Sequence, residues 1–303
     1  MHQKNRRLVF KFTTLAAALA VFAGCSTSPR QAAGTGSAER IVVFGDSNVD
    51  NGNLYRMTSS EFPAAPRWKG RDSNGPVVVE YLSESMNAKL ENYAVSGATT
   101  GESNIVPRIV PKYTNVATTG VSWQLAEFTK AGGKLGPSDI VVLWAGSNDI
   151  FGAQRQDKAD LARRIDTASS NVERALLRLH ALGAKRVVFS TRTPRDVIGT
   201  DNDLNGVDLN ASLRETIKRV QAKTGLDIVV YDAYARIADM MTNPSKYGFS
   251  DPKTLCVNVP ACASDAYGSG QPVASTYINW DGAHKTTRVH KIMANEIQDM
   301  LRR

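Results

Sequence analysis

The stretch Ile41-Val42-Val43-Phe44-Gly45-Asp46-Ser47-Asn48-Val49-Asp50-Asn51-Gly52-Asn53 decides how the rest of the chain is read. Its first four residues are apolar and β-branched or aromatic, the pattern of a buried strand, and Gly45-Asp46-Ser47 ends that strand in a tight turn. A serine just past a strand's carboxyl end stands where open α/β sheets place their ligands. Ser, Asp and Gly after a strand are also what any turn or helix cap requires, so the stretch takes its meaning from what lies around it.

Downstream, the chain alternates strand and helix. The run Ser73-Asn74-Gly75-Pro76 opens a helix over 76–86, with proline near the first turn, where its missing N–H costs little. A short strand follows over 90–95, then a helix over 121–131, a strong strand over 140–144, and a long amphipathic helix over 158–182 ended by Gly183. Strands over 186–190 and 228–231 flank a helix near 208–223, and a helix over 286–301 closes the pattern. Five strands, each followed by a helix, give a mainly parallel sheet with helices on both faces. No internal repeat or second domain is visible. Residues 40–303, about 264 of them, suffice for one α/β domain with a sizeable core.

Upstream, residues 1–24 read as a signal peptide. Lys4, Arg6, Arg7 and Lys11 form a positive start, 13–22 is an apolar run short for a bilayer, and Ala23-Gly24 are small residues at a cleavage point. The run Val21-Phe22-Ala23-Gly24-Cys25 resembles the lipobox of bacterial lipoproteins. That resemblance implies lipidation of Cys25 and, with Ser26 next, an outer-membrane anchor; plain secretion with a free or trimmed Cys25 is the alternative. Residues 25–39, small and polar, make a flexible tether.

The 37 Lys and Arg exceed the 29 Asp and Glu, but without the four in the leader 33 remain, an excess of four. With no dense basic cluster behind it, this excess calls for no nucleic-acid partner. The other two cysteines, Cys256 and Cys262, are close in sequence. An export signal precedes them and no histidine is nearby to complete a metal set, so a local disulfide is expected rather than a metal site; two unpaired thiols are the alternative.

The candidate chemistry sits at strand ends. The second strand leads into Asn92-Tyr93-Ala94-Val95-Ser96-Gly97-Ala98, the third into Gly146-Ser147-Asn148-Asp149, and the last loop carries Trp280-Asp281-Gly282-Ala283-His284. An aspartate and a histidine three residues apart can face one pocket, the carboxylate fixing the imidazole's tautomer and orientation. Each block alone has a plain explanation as a loop or a surface histidine, but their joint occurrence does not.

Together with Gly70-Arg71-Asp72-Ser73-Asn74-Gly75-Pro76, these blocks are similar, in the same order, to those of the GDSL esterases and lipases of the SGNH hydrolase superfamily. They span residues 44–284, nearly the whole body. The sequence departs from the pattern at Asn48, where the family motif has Leu, and at Lys285, where Pro commonly follows the histidine. The resemblance implies a flavodoxin-like three-layer α/β/α sandwich without metal or cofactor. It implies Ser47 as nucleophile, His284 as base and Asp281 as its partner. The Ser47 N–H, the Gly97 N–H and the Asn148 side-chain amide would receive the oxyanion. Asp46 and Asp149 are expected to hold loops. The expected activity is hydrolysis of short-chain carboxylic esters through an acyl-enzyme. Phospholipase or acyltransferase action, carbohydrate O-deacetylation, and a non-catalytic binding lipoprotein on the same fold are the alternatives. The partners would be a small-molecule or lipid ester and, through Cys25, a membrane.

Overall fold

Strand β1 (Arg40–Gly45) is buried along all but its first residue and pairs on both edges, as an unbroken apolar run requires. The structure, a computed structural model, describes residues 38–264 and 273–303. The expected signal peptide, Cys25 and the tether as far as residue 37 lie outside them. With β1, the strands β2 (Lys89–Asn92), β3 (Asp139–Trp144), β4 (Arg186–Ser190) and β5 (Asp227–Tyr231) form one sheet in the order β2-β1-β3-β4-β5, every pair parallel. The chain moves outward from β1 to β2 and then returns past β1 to β3. That reversal opens a crevice beyond the carboxyl ends of β1 and β3.

The helices among the described residues are α1 (Asn53–Met57), α2 (Val78–Met86), α3 (Val106–Ile109), α4 (Val121–Lys130), α5 (Lys158–Ala181), α6 (Asp201–Thr224), α7 (Ala233–Thr242), α8 (Pro260–Ala263) and α9 (Thr287–Leu301). Alternation along the strands divides the core into two layers. Ile41, Val43, Ile140 and Val142 pack against α2, α7 and α9, while Val42, Phe44, Val141 and Leu143 pack against α4, α5 and α6. The expected three-layer α/β/α sandwich is the observed one.

Several boundaries differ from those read in the sequence. Helix α6 opens at Asp201 rather than near 208, because Thr200 Oγ1 accepts the Asp203 N–H at 3.4 Å and two aspartates favour its amino end. Its first turns carry few apolar residues, and Gly206 there looks like a loop residue. It is glycine for a packing reason: a Cβ would stand 1.8 Å from the Arg192 guanidinium. Helix α7 was not anticipated; Asp232 caps it by accepting the Ala235 N–H, and Ala233, Ile237 and Met240 are its buried stripe. Strand β2 stops at Asn92, short of the expected 95, yet the ladder continues through Tyr93 N–H to Val43 O (2.9 Å) and Val95 N–H to Gly45 O (3.1 Å). Helix α2 begins at Val78, and Glu80 reaches back to accept the Val77 N–H at 2.9 Å. Cys256 and Cys262 are joined in the expected disulfide, both buried.

Candidate active site

At the end of β1 the backbone is pressed against β3, and a Cβ on Gly45 would lie 2.2 Å from the Trp144 carbonyl oxygen. The buried Gln124 side chain accepts the Gly45 N–H at 2.8 Å and donates to its carbonyl at 2.9 Å, so the strand end is fixed from α4. Asp46 then turns the chain. Its Oδ1 accepts from Asn48 N at 3.0 Å and Asn48 Nδ2 at 2.9 Å, while its carbonyl accepts the Val49 and Asp50 N–H groups. The departure at position 48 is thus a second tie on the turn. Ser47 sits at its tip, and the Ser47 N–H donates to no group among the described residues.

A second carboxylate joins this turn to the next loop. Buried Asp50 accepts the N–H groups of Gly52, Leu54 and Ser96, at 2.8, 3.1 and 2.8 Å, and that of Asn53. Ser96 is followed by Gly97, whose N–H is likewise without an acceptor among the described residues. Gly97 has φ +83°, and a Cβ there would meet Asn104 Oδ1 at 2.4 Å and a Val106 methyl at 2.7 Å. The glycine is therefore demanded by its own loop and by α3, which precedes any question of crowding a substrate. Asn148, beyond β3, gives one Nδ2–H to the Ala98 carbonyl at 2.9 Å, which leaves the second N–H of that amide free among the described residues. Asp149 accepts from the Thr100 N–H at 3.0 Å and hydroxyl at 2.6 Å, so it and Asp46 both hold loops as expected.

His284 closes the constellation. Its Nε2 lies 2.9 Å from Ser47 Oγ, across a separation of 237 residues, and its Nδ1 lies 2.9 and 3.0 Å from the two Asp281 oxygens. Asp281 Oδ1 also accepts the Ala283 and His284 N–H groups, both at 2.8 Å. The loop is backed by the disulfide segment: Cys256 N–H donates to Asn279 O and Val257 N–H to Trp280 O, each at 3.0 Å. Asp281 Oδ2 receives Arg67 Nη2 at 3.0 Å, and Arg67 Nε binds Asp72 Oδ1 at 2.9 Å. The other Asp72 oxygen accepts the Ser96 hydroxyl. A chain of contacts thus runs from the base side to the Gly97 loop through two residues not singled out in the sequence, Arg67 and Asp72. Asp72 lay inside a recognised block; Arg67 lay in an aperiodic stretch with no local signal.

Charge in the site follows these contacts. Burial raises the Asp46, Asp50 and Asp149 carboxyls to about 6. Burial acts the same way on Asp281, but the charge and hydrogen bond of His284 and two backbone N–H groups outweigh it and hold this carboxyl well below the usual range. Burial would lower His284, yet the Asp281 and Asp72 charges overcome it and raise the imidazole above 6.5, against a smaller opposing effect of Arg67. Among the described residues no group of three or more His, Cys, Asp or Glu side chains is placed to hold a metal ion. Ser47, Gly97, Asn148, Asp281 and His284 are brought to one edge of the sheet. Cys25 lies outside the described residues, and Cys256 and Cys262 stand behind the Asp281–His284 loop.

A parallel sheet of this order, with serine, imidazole and carboxylate in one hydrogen-bonded line at its carboxyl edge, defines an α/β protein of the serine-histidine-aspartate class. The chain belongs to the GDSL-like lipase/acylhydrolase family, whose model matches residues 41–297. It is similar to the thermolabile hemolysin of Vibrio parahaemolyticus serotype O3:K6 (strain RIMD 2210633), at 26% identity over 287 residues covering 85% of this chain and 62% of the relative. It is also similar to the phosphatidylcholine-sterol acyltransferase of Aeromonas hydrophila, at 28% over 229 residues covering 72% of this chain and 65% of the relative. The chain spans less than two thirds of the length of either of these relatives. Among solved structures it is similar to a member of the lipolytic protein G-D-S-L family from Veillonella parvula DSM 2008, with a TM-score of 0.48 at 16% identity, covering 86% of this chain and 96% of that one.

Proposed function

We propose that this protein is a carboxylic ester hydrolase that acts through an acyl-enzyme on Ser47. The observation that carries the reading is the 2.9 Å approach of His284 Nε2 to Ser47 Oγ, with Asp281 on the far ring nitrogen. Ser47 Oγ attacks the ester carbonyl while its proton passes to His284 Nε2. Asp281, held ionised, stabilises the imidazolium that forms. The Ser47 and Gly97 N–H groups and the free Asn148 N–H receive the oxyanion, a charge that exists only after attack, so they lower the barrier rather than only tightening binding. His284 returns the proton to the departing alcohol. It then takes one from water, which attacks the acyl carbon and releases the acid and Ser47.

The acyl groups are short. Two of the large apolar side chains of residues 54–69 are occupied locally: Phe62 stacks on Tyr113 at 5.6 Å, and it and Met57 pack on a cluster containing Leu54, Val95 and Val116. They are not available to wall a long acyl chain, so each further methylene gains less than the ~0.8 kcal/mol of full burial. We also place the enzyme outside the cytoplasm, tethered by a lipid on Cys25, which the lipobox resemblance supports. The name of the Aeromonas relative favours transfer to an alcohol as a second reading.

An organophosphorus probe should add one equivalent at Ser47, and Ser47→Ala should abolish labelling and activity while the fold stays intact; labelling at any other serine would overturn the assignment. Plotted against acyl length in detergent-free buffer, kcat/KM should peak between acetyl and butyryl, and a rise continuing to palmitoyl would exclude the short-chain reading. Product analysis with added acceptor alcohols separates hydrolysis from transfer.

A further inference from the structure

Lys285 follows the catalytic histidine candidate directly, and its side chain is fully buried. It makes no ion pair among the described residues, and the one partner of its amine there is the Asn279 Oδ1, at 2.7 Å. An ammonium out of water with a single neutral acceptor is costly, whereas a methionine would fill similar space without that cost. Packing therefore accounts for the stem of this side chain and not for its head.

The position of the bond gives the head a role. Residues 279 and 285 face each other as an antiparallel bridge at the neck of the loop that carries Asp281 and His284. Backbone bonds flank this bridge on both sides: Trp280 N–H to His284 O at 2.9 Å toward the tip, and Thr286 N–H to Ile278 O at 3.0 Å toward the base. Asn279 is anchored in turn, its Nδ2 on the Pro252 carbonyl at 3.0 Å and its own carbonyl under the Cys256 N–H at 3.0 Å. The Lys285 carbonyl accepts the Ser73 hydroxyl at 3.0 Å, which joins the other side of the neck to the segment before α2. One side of the neck is thus fixed to the disulfide segment and the other to the segment before α2, and the Lys285 amine spans the two.

We propose that Lys285 is a positioning residue for the Asp281–His284 pair, acting through the bond from its buried amine to Asn279 across the neck of their loop. The inference rests on the serine mechanism above. A displacement of about 1 Å in a reacting group can cost on the order of 10²-fold in rate. His284 Nε2 must stay within hydrogen-bond reach of Ser47 Oγ, so slack at the neck appears in the chemical step before it appears in substrate binding. The charged groups around the amine are Arg192, Arg195 and Asp196 from the segment after β4 and Asp281 of the loop itself, and the titratable His290 on α9, brought down to about 3 by burial, stays neutral beside it. Burial first, then the neighbouring arginines, bring the amine down to about 7, which is consistent with a lysine held without a carboxylate partner.

The test compares the wild-type chain with Lys285→Met, each counted by organophosphorus titration of Ser47. The expected result is a 10- to 100-fold lower kcat per titrated site with KM within about twofold, and slower labelling by a similar factor. A titrated Lys285→Met protein with wild-type kcat, however much less stable to urea, would overturn the proposal and leave Lys285 a packing residue. If Lys285→Met does not fold, Lys285→Gln, which keeps a donor one atom short of Asn279, carries the same comparison and the same outcomes. Failure of the wild type to label at Ser47 would instead sink the serine mechanism, so the two failures are distinguishable.

Discussion

Asp50 and Asp281 are both largely shielded from water, both accept backbone N–H groups, and both belong to the loops that present Ser47 and His284, yet the protein treats their charges oppositely. Asp50, on the nucleophile side, is met among the described residues only by the N–H groups of Gly52, Asn53, Leu54 and Ser96, and burial still raises it to about 6. Asp281, on the base side, has fewer backbone donors and also accepts from Arg67, and against burial the charge and hydrogen bond of His284, with the Ala283 and His284 N–H groups, hold its carboxyl well below the usual range. At Asp50 backbone donors alone do not offset desolvation, whereas at Asp281 the charge of the neighbouring imidazole adds to them and does. The nucleophile side is therefore a scaffold built on a carboxylate, and the base side is an electrostatic device.

Substitutions at three residues break or sharpen this comparison. The largest effect is expected from Asp281→Asn, which keeps the shape and removes the charge: kcat should fall on the order of 10⁴-fold with the fold retained, measured per titrated serine. A loss below tenfold would mean that the charge of Asp281 is dispensable.

Next, Asp50→Ala should cost about 3 kcal/mol in urea unfolding, because four backbone N–H groups lose one acceptor. Asp50→Asn sharpens the point through pH. The folded carboxyl, at about 6, lies above its ordinary 3.8, so its stabilising contribution is complete below about pH 3.8 and is lost as pH rises through about 6. The wild type should show that decline in stability between those values, and Asp50→Asn should show less of it. An equal decline in both would place the carboxyl's titration elsewhere.

The smallest effect is expected from Arg67→Met. The arginine's cation opposes protonation of His284, so its removal raises an imidazole already above 6.5. The acid limb of kcat/KM should therefore move to higher pH, and only slightly, since Arg67 is the smallest of the influences on the imidazole. A shift to lower pH would show that Arg67 acts on the histidine through something other than its charge.

What the sequence discloses and what it hides divide along the same line. The strands over 41–44 and 140–144 are legible because a parallel sheet buried on both faces demands unbroken apolar runs. Ser47, Gly97, Asn148, Asp281 and His284 are legible because each sits in a short block of recognisable order. Arg67 is not, since its partner Asp281 is 214 residues away and nothing in an aperiodic stretch announces a long-range ion pair. The first turns of α6 are hidden for another reason: their residues cover a buried arginine rather than an apolar layer, so no apolar period marks them. Lys285 was visible as a departure from the family pattern, but its complete burial depends on the segment after β4 and on Asn279, which the local sequence does not reveal.

On the serine mechanism proposed above, the separation of 237 residues between Ser47 and His284 means that the chain gains its base long after its nucleophile. The serine turn can form with β1, β2, β3 and α4 in place, but no partial product of synthesis that stops before residue 284 possesses a base. A chain emerging amino end first therefore carries an unarmed serine until its last loop has docked. Ester turnover then reports completed assembly more sharply than helix content does, because every element between the two residues can be present while the reaction is still absent. The same separation suits the molecule to division into two fragments in the exposed stretch before α5, one bringing the nucleophile and the other the base, with activity measuring only their reunion.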